Sequence, residues 1–340
     1  MTFYSKAPLR IGLAGGGTDV SPYCNLYEGA VVNATISLYA NATIKILQED
    51  KIIIETIDRN EKQVFDKINS LPINGCLDLH KAVYNRLAKD FNLASKGFYL
   101  STHTDAPAGS GLGTSSTLVV AIMGVFNEMF DLKLSRHAIA KYAYDIERND
   151  LQFSGGRQDQ YAAAFGGFNF MEFLKNDEVR ISPLPVTDVY KQTLENNLVL
   201  YFTDSSRNSA DIINEQVKNV LGNNEKSIDA MHHLKEQAQI MKEKLLHANP
   251  DELGPLLHFG FEHKKNMASN ISNPAIEAIY ETALKAGATG GKISGAGGGG
   301  FMVFYCPDNT RVSVIKALNN FGGQVRAYNF VGQGLTSWSE

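Results

Sequence analysis

The sequence has few cysteines and no long hydrophobic run. Its 340 residues contain three cysteines, Cys24, Cys76 and Cys306, which lie far apart and lack the spacing of a metal-binding motif. No apolar stretch reaches the roughly 18 residues of a membrane-spanning helix, and the segment MTFYSKAPLR lacks the hydrophobic core of a signal peptide. These absences predict a cytoplasmic protein with reduced thiols and no membrane contact.

Neither sign of charge dominates the sequence. There are 32 Lys and Arg residues against 36 Asp and Glu residues, which gives a net charge of −4, and the basic residues form no cluster. A nucleic-acid surface is therefore not expected. Hydrophobic residues make up 44% of the chain, enough for a sizeable core in one large or two medium domains.

Strand-like and helix-like patterns are mixed along the whole chain, which predicts an α+β fold. β-branched runs such as GAVVNATISLYANATIKIL and the apolar GGFNFMEFL predict strands. Turn-like residues near 175–195 suggest a boundary between a domain at 1–185 and a domain at 186–340. Helices are predicted at 79–91, at 135–149 with Ser135 as the N-cap, and at 208–221, 224–247, 251–268, 274–286 and 309–320.

Three glycine-rich segments stand out, at residues 8–19, 106–116 and 292–300. The second follows the strand-like GFYLSTHTD and precedes the apolar TLVVAIMGVFNEMF. The first turn of a helix has unpaired N–H groups, and glycines let the backbone approach an anion, so this arrangement favours phosphate binding. It is not a Walker loop, because no lysine follows the glycines. A helix-capping turn is the alternative, since Ser and Thr also cap helices.

Taken in order, the three segments resemble the motifs of the GHMP small-molecule kinases. PAGSGLGTSS resembles their nucleotide-binding motif P-x-x-x-G-L-G-S-S, APLRIGLAGGGTD their first motif, and KISGAGGGGF their third. The resemblance implies a GHMP kinase fold, with an N-terminal domain like the second domain of ribosomal protein S5 and a ferredoxin-like C-terminal domain. It also implies ATP and Mg²⁺ as cofactors and a small-molecule substrate. Both a monomer and a homodimer are compatible with the sequence.

Within that family, the segments PLRIGLAGGGTDVSPY, GGRQDQYAAAFGG and YFTDSSRNSADII are most similar to a bacterial branch that acts on heptose 7-phosphate. This similarity implies transfer of phosphate from ATP to the anomeric hydroxyl of D-glycero-D-manno-heptose 7-phosphate, a step towards nucleotide-activated heptose for surface polysaccharide. The alternatives are a fucokinase-like or other sugar-1-kinase, a decarboxylating member of the family, and a non-catalytic nucleotide- and sugar-binding sensor. Asp19 argues against the decarboxylating member, and the presence of the expected base and metal residues argues against the sensor.

The resemblance also implies roles for individual residues. Asp159 would be the base that receives or orients the hydroxyl, although a helix-start carboxylate would explain it as well. Arg10 would stabilise developing charge. Ser115 and Glu147 would hold the metal ion, although a solvated acid at a helix end would also explain Glu147. The ATP phosphates would lie on Pro107, Ala108, Gly109, Ser110, Gly111, Leu112, Gly113, Thr114, Ser115 and Ser116.

The first motif is expected to meet the sugar through Gly16, Gly17, Thr18 and Asp19. Galactokinases carry Glu and His at the positions of Gly16 and Gly17, so we expect vacated volume and one fewer negative charge here. Both changes suit a longer, anionic substrate. The distal phosphate would be bound by one or more of Lys6, Arg157, Arg207 and Lys292. In the third motif, Gly295, Gly297 and Gly298 either let the backbone approach the phosphate loop or form a hairpin without ligand contact.

Overall fold

A computed structural model describes residues 1–66, 68–91, 93, 96–203 and 209–340. Its strands fall into two sheets. The strands of the larger sheet are β1 (Thr2–Ala14), β2 (Gly29–Ile46), β3 (Lys51–Thr56), β4 (Glu61–Asp66), β5 (Phe98–Thr104), β6 (Phe168–Phe173), β7 (Val179–Pro183) and β12 (Thr336–Ser339). Those of the smaller sheet are β8 (Leu198–Phe202), β9 (Gly290–Ile293), β10 (Phe301–Tyr305) and β11 (Gln324–Arg326).

Helices connect these strands and cover the sheets. They are α1 (Tyr23–Tyr27), α2 (Asp78–Phe91), α3 (Thr114–Met129), α4 (Arg136–Asp145), α5 (Gln158–Phe165), α6 (Asp188–Asn197), α7 (Ser209–Leu221), α8 (Glu225–Leu246), α9 (Leu253–Lys264), α10 (Pro274–Lys285) and α11 (Arg311–Leu318). A π-helical turn at Ile146–Asp150 directly follows α4. None of the helices in these described ranges is long and apolar enough to cross a membrane.

The long strand β2 organises the larger sheet. Residues 29–36 of β2 are all buried, whereas residues from 37 onwards tend to alternate between buried and partly exposed. The first part pairs with β6 and the second with β5, while β1 runs antiparallel along both. The order is β12-β1-β2-β5-β3-β4, with β6 and β7 added to the first half of β2. β12 thus returns the end of the chain to the larger sheet.

The smaller sheet has the order β11-β8-β10-β9, and every neighbouring pair is antiparallel. Helices α7 to α10 lie between β8 and β9 in the chain, and α11 lies between β10 and β11. This order and connectivity match the predicted ferredoxin-like domain. A shared hydrophobic cluster joins the two sheets, with Leu9 and Phe168 on one side and Leu257 and Phe301 on the other.

Most of the predicted helices are confirmed, with ends that differ by a few residues. Ser135 caps α4, and its hydroxyl oxygen accepts a hydrogen bond of 3.2 Å from the N–H of Ala138. The patterns missed α6, which has only Tyr190 and Leu194 on its buried face, and β12. The domain boundary at 185 and 186 falls between β7 and α6, and the division remains a prediction.

Candidate active site

The three glycine-rich segments line one cleft of about 850 Å³ at the junction of the two sheets. The loop at 106–116 forms one wall, and the segment after β1 and the third motif form others. Residues 152–156 and the start of α7 complete the cleft. The Ser154 hydroxyl joins these two parts by donating to Asn214 Oδ1 at 2.5 Å. The predicted site residues that line the cleft are Arg10, Gly16, Gly17, Asp19, Ala108, Gly109, Gly111, Gly113, Thr114, Ser115, Ser116, Glu147, Asp159, Lys292 and Gly295.

The loop leads directly into the buried helix α3. Gly113 precedes the first helical residue with a φ of 77°, a left-handed conformation that favours glycine. Helix α3 is buried on nearly all sides, which explains its apolar sequence and fixes its N-terminus at the cleft. The unpaired N–H groups of that first turn make this end of the cleft suited to an anion.

The third motif packs its backbone against the loop, as the first of the two interpretations of its glycines expected. A Cβ on Gly295 would lie 2.6 Å from the Cα of Gly111, and one on Gly111 would overlap the carbonyl oxygen of Ser294. The Ser294 hydroxyl donates to the Gly111 carbonyl oxygen at 2.8 Å. Gly297 and Gly298 pack on Ile271 instead and do not line the cleft.

Arg10 and Asp159 form an ion pair beside the loop. Nε and one terminal nitrogen of Arg10 both donate to Oδ1 of Asp159, at 2.7 and 2.6 Å. The other terminal nitrogen donates to the Gly111 carbonyl oxygen at 2.6 Å. Oδ2 of Asp159 lies 3.2 Å from where a Cβ on Gly113 would be. One carboxylate oxygen is therefore held by Arg10, while the other faces the start of α3.

Asp19 holds the start of α5, the helix that carries Asp159. Its Oδ2 accepts the backbone N–H groups of Arg157 and Gln158, at 3.0 and 3.1 Å. Its Oδ1 accepts the Gln158 side-chain amide and the Gly17 N–H, each at 3.1 Å. All four of the usual acceptor positions of a carboxylate are thus used within the chain. Asp19 is buried, and its contacts position Asp159.

Glu147 lies on the π-helical turn and points into the protein instead of extending α4. Burial raises the pKa of this carboxyl, while the neighbouring Arg148, Gln160 and Ser116 act in the opposite direction. Oε1 accepts the Ser116 hydroxyl at 3.0 Å, and Oε2 accepts the Gln160 amide at 2.5 Å. Ser116, next to the predicted Ser115, is thus the serine that contacts Glu147; Ser115 lines the cleft.

Two lysines of the cleft form no ion pair in the part of the chain that the structure describes, although the Asp19 carboxylate raises the pKa of Lys264 against the effect of burial. Lys264 on α9 donates to the Gly16 carbonyl oxygen at 3.3 Å, and burial lowers its pKa to about 8. Lys292 on β9 donates to the carbonyl oxygens of Gly12 and Ile293, at 2.9 and 3.1 Å. Burial, with Lys264 and Arg10 nearby, lowers its pKa well below the usual value. The cleft therefore contains two buried amino groups whose charged forms are disfavoured by burial.

Several predicted residues lie away from the cleft. Lys6 is exposed in β1 with its ammonium over the Tyr39 ring, and Arg157 pairs with Asp177. The Thr18 hydroxyl lies within hydrogen-bonding distance of the carbonyl oxygens of Gly15 and Ala30, at 2.8 and 2.9 Å. Pro107, Ser110 and Leu112 belong to the loop but do not line the cleft, and Arg207 lies outside the described residues.

The expectation of vacated volume is wrong for Gly17 and holds for Gly16. A Cβ on Gly17 would overlap the Met267 methyl group, so Met267 already fills that space. At Gly16 the nearest atom would be the Gln158 amide nitrogen at 3.9 Å, an ordinary contact distance. Space is therefore available at only one of the two positions.

The sequence patterns missed several polar residues that line or support the cleft: Arg148, Gln158, Gln160, Gln216 and Lys264. A signal existed for two of them. Lys264 continues the buried face formed by Leu253, Leu257 and Phe261, and Gln216 lies between Ile212 and Val220. A charged or amide side chain at an apolar-stripe position marks a candidate functional residue.

Comparison with known proteins supports the resemblance. The GHMP kinases N terminal domain matches residues 78–167 and the GHMP kinases C terminal domain matches residues 241–324. A D-glycero-alpha-D-manno-heptose 7-phosphate kinase of Campylobacter jejuni is 45% identical over 337 residues, covering 99% of both chains.

Two solved structures have the same fold. A D-glycero-D-manno-heptose 1-phosphate kinase from Bacteroides thetaiotaomicron superposes with a TM-score of 0.86 at 41% identity, over 99% of both chains. Lactococcus lactis galactokinase complexed with galactose superposes with a TM-score of 0.79 at 19% identity, over 98% of this chain and 95% of that one. Together with the matched domains and the identity over the whole chain, these likenesses confirm the predicted fold and show that the protein belongs to the GHMP kinase family.

Proposed function

We propose that the protein transfers the γ-phosphoryl group of ATP to the anomeric hydroxyl of D-glycero-D-manno-heptose 7-phosphate. The observation that carries this proposal is the position of Asp159, held by Arg10 with one oxygen facing the glycine loop at the start of α3. A proton acceptor beside an anion-binding helix end suits phosphoryl transfer to a hydroxyl.

The relatives support a phosphorylated heptose as the substrate. One is named for a heptose 7-phosphate and the other for a heptose 1-phosphate. Both names describe kinases of a heptose monophosphate, and the relative that is 45% identical over the whole chain is named for the 7-phosphate. The two cleft lysines support an anionic substrate as well, because their hydrogen-bond acceptors among the described residues are backbone carbonyl oxygens, and a phosphate would stabilise the charged ammonium.

In the proposed reaction the sugar hydroxyl approaches Oδ2 of Asp159, which takes its proton. The hydroxyl oxygen forms a bond to the γ-phosphorus, the bond from that phosphorus to the β–γ bridging oxygen breaks, and ADP leaves. Arg10 keeps the carboxylate in position and adds positive charge next to the reacting oxygens. The N–H groups at the start of α3 hold the ATP phosphates.

The residues around Glu147 fit a magnesium ion. Magnesium prefers oxygen ligands and uses few protein groups besides the phosphates. Glu147 offers a carboxylate, and Ser115 offers a hydroxyl on the first turn of α3 beside the loop. The nearest cation to Glu147 is Arg148, whose terminal nitrogen is 3.8 Å from Oε1. When bound, the ion would neutralise charge on the phosphates, with Glu147 and Ser115 as its protein ligands.

The substrate assignment predicts a strong preference for the phosphorylated sugar. Charge-assisted hydrogen bonds contribute roughly 1.5–3 kcal/mol each, so two of them give on the order of a hundredfold in kcat/KM. Steady-state turnover should be measured with heptose 7-phosphate, free heptose, galactose and fucose at saturating ATP. Equal or better turnover of an unphosphorylated hexose would contradict the substrate and favour the fucokinase-like alternative.

Asp159→Asn should lower kcat while ATP still binds. A general base contributes roughly 10²- to 10⁴-fold, and the amide cannot accept the hydroxyl proton. The matched control is Asp188→Asn, an exposed carboxylate at the start of α6, which should leave kcat unchanged. An Asp159→Asn enzyme with near-normal kcat would remove Asp159 from the chemical step.

Gly113→Val should abolish ATP binding in a folded protein. The new side chain would press on Asp159 and impose strain at a left-handed backbone position where the loop must approach the phosphates. Gly322→Val is the control, because Gly322 has a similar φ of 75° with open space around it. Calorimetry with ATP decides: unchanged affinity in Gly113→Val would show that the loop does not hold the nucleotide.

Glu147→Gln should raise the Mg²⁺ concentration required for half-maximal activity, because an amide is a weaker ligand than a carboxylate for a hard cation. Glu178→Gln, an exposed acid, serves as the control. Activity should be titrated with Mg²⁺ at fixed ATP for both variants. A Glu147→Gln curve that coincides with that of the unmodified enzyme would exclude a metal role for this residue.

A further inference from the structure

Two polar side chains interrupt the apolar faces of separate helices at the same end of the cleft. Lys264 is 3% exposed and lies one turn beyond Phe261 on the buried face of α9. Gln216 is 2% exposed and lies between Ile212 and Val220 on the buried face of α7. Both line the cleft. Burying such groups is unfavourable unless they gain a hydrogen-bond partner.

Within the protein these two groups are poorly satisfied. Among the described residues, Lys264 makes one hydrogen bond, of 3.3 Å, to the Gly16 carbonyl oxygen and no ion pair, so N–H donors of its ammonium remain available. The side-chain amide nitrogen of Gln216 has no hydrogen-bond partner in the described part of the chain. Buried donors without a hydrogen-bond partner at the wall of a cleft are expected where a ligand supplies the acceptor.

Both groups adjoin the Gly16–Gly17 segment and not the nucleotide loop. Gln216 Oε1 would lie 3.8 Å from a Cβ on Gly17, and Lys264 contacts the carbonyl of Gly16. Gly16 itself leaves open space. The loop, in contrast, contacts Arg10, Asp159 and Ser294. The two donors therefore lie beside the first glycine-rich segment, whereas the loop contacts other residues.

Lys292 is less suited to this role. Two carbonyl oxygens already accept hydrogen bonds from its ammonium. Ser294, two residues further along the chain, donates a hydrogen bond to the loop at Gly111. The position of Lys292 is thus close to the nucleotide side of the cleft. Among the basic residues in the described part of the cleft, Lys264 is the one with a weak internal partner and no tie to the loop.

We propose that Lys264 and Gln216 form the subsite for the non-transferred phosphate of the sugar substrate, next to Gly16. This inference rests on the proposed function. The ammonium and the amide N–H are both donors, which matches the acceptor-only oxygens of a phosphate dianion. A neutral sugar hydroxyl would offer the ammonium no negative charge beyond that of the nearby Asp19.

The test compares kcat/KM for heptose 7-phosphate and for free heptose at saturating ATP in three variants. Lys264→Met removes the charge and retains the apolar length. Gln216→Glu keeps the shape and places a negative charge at the subsite. Lys265→Met is the matched control, because this neighbouring lysine does not line the cleft and pairs with Glu262 on α9 and Glu277 on α10.

In Lys264→Met and in Gln216→Glu the preference for the phosphorylated sugar should fall by roughly ten- to a hundredfold, the worth of one charge-assisted hydrogen bond. Lys265→Met should retain the full preference. The KM for ATP should stay the same in all three variants. If Lys264→Met does not fold, as judged by circular dichroism, the Gln216→Glu result decides alone.

The outcomes separate this inference from the proposed function. An unmodified enzyme without preference for the phosphorylated sugar overturns the proposed function, whatever the variants do. The subsite is overturned if the unmodified enzyme prefers the phosphorylated sugar and the variants keep that preference. It is also overturned if the variants lower kcat/KM for both sugars to the same extent. An equal decrease in kcat/KM for both sugars would mean that Lys264 and Gln216 contact the sugar ring or the transferred group.

Discussion

The guanidinium of Arg10 is the contact on which the cleft depends. It bonds to Asp159, to the Gly111 carbonyl and, at 3.5 Å, to the Ser294 hydroxyl, residues that are 149, 101 and 284 positions away in the sequence. Arg10 is 3% exposed, and a buried cation must be paired and hydrogen-bonded. The arrangement that satisfies Arg10 is therefore the same arrangement that brings Asp159, the proposed base, together with the glycine loop and the third motif.

The buried Asp19 holds the start of α5 in a similar way, through hydrogen bonds to groups that are distant in the sequence. The helix that carries Asp159 begins on the four hydrogen bonds that Asp19 accepts, and a Cβ on Gly156 would overlap its carboxylate. The glycines of this segment thus allow the chain to close around a buried acid. Because both Arg10 and Asp19 lie in the first motif, one end of β1 fixes the position of Asp159 from two sides. Contacts within the chain thus hold the side chains of the site in place.

Local patterns predicted most of the helices and the phosphate loop, because periodicity and capping depend on neighbouring residues. Ser135 and the apolar α3 are examples. The side-chain partners depended on long-range packing that no local pattern encodes. Arg157 occurs in a motif-like segment, yet it pairs with Asp177 outside the cleft. Successive helical residues differ by about 100° in direction, so Ser115 faces the cleft while Ser116 reaches Glu147.

Glu147 shows how a change in helix geometry alters the role of a residue. In a continued α-helix it would be an ordinary acid near a helix end, which is how the sequence pattern describes it. The π-helical turn inserts an extra residue into the hydrogen-bonding register and turns Glu147 towards Ser116 and Gln160. Such turns are frequent at functional sites. Neither propensity nor periodicity predicts them, so this part of the site required the structure.

The burial of Lys264 and Gln216 lowers the stability of the protein, and in the proposed subsite it would also favour an anionic substrate. Each occupies a helix position where an apolar side chain would pack without penalty, so their burial makes the unliganded protein less stable than it could be. A ligand that offers anionic oxygens removes this penalty, whereas a ligand of the same shape without the charge leaves the donors unfilled. Sites of this kind discriminate more strongly than apolar pockets, because the rejected ligand leaves buried polar groups unpaired. In the proposed subsite, selectivity for a phosphorylated sugar would thus follow from groups that the fold leaves unsatisfied.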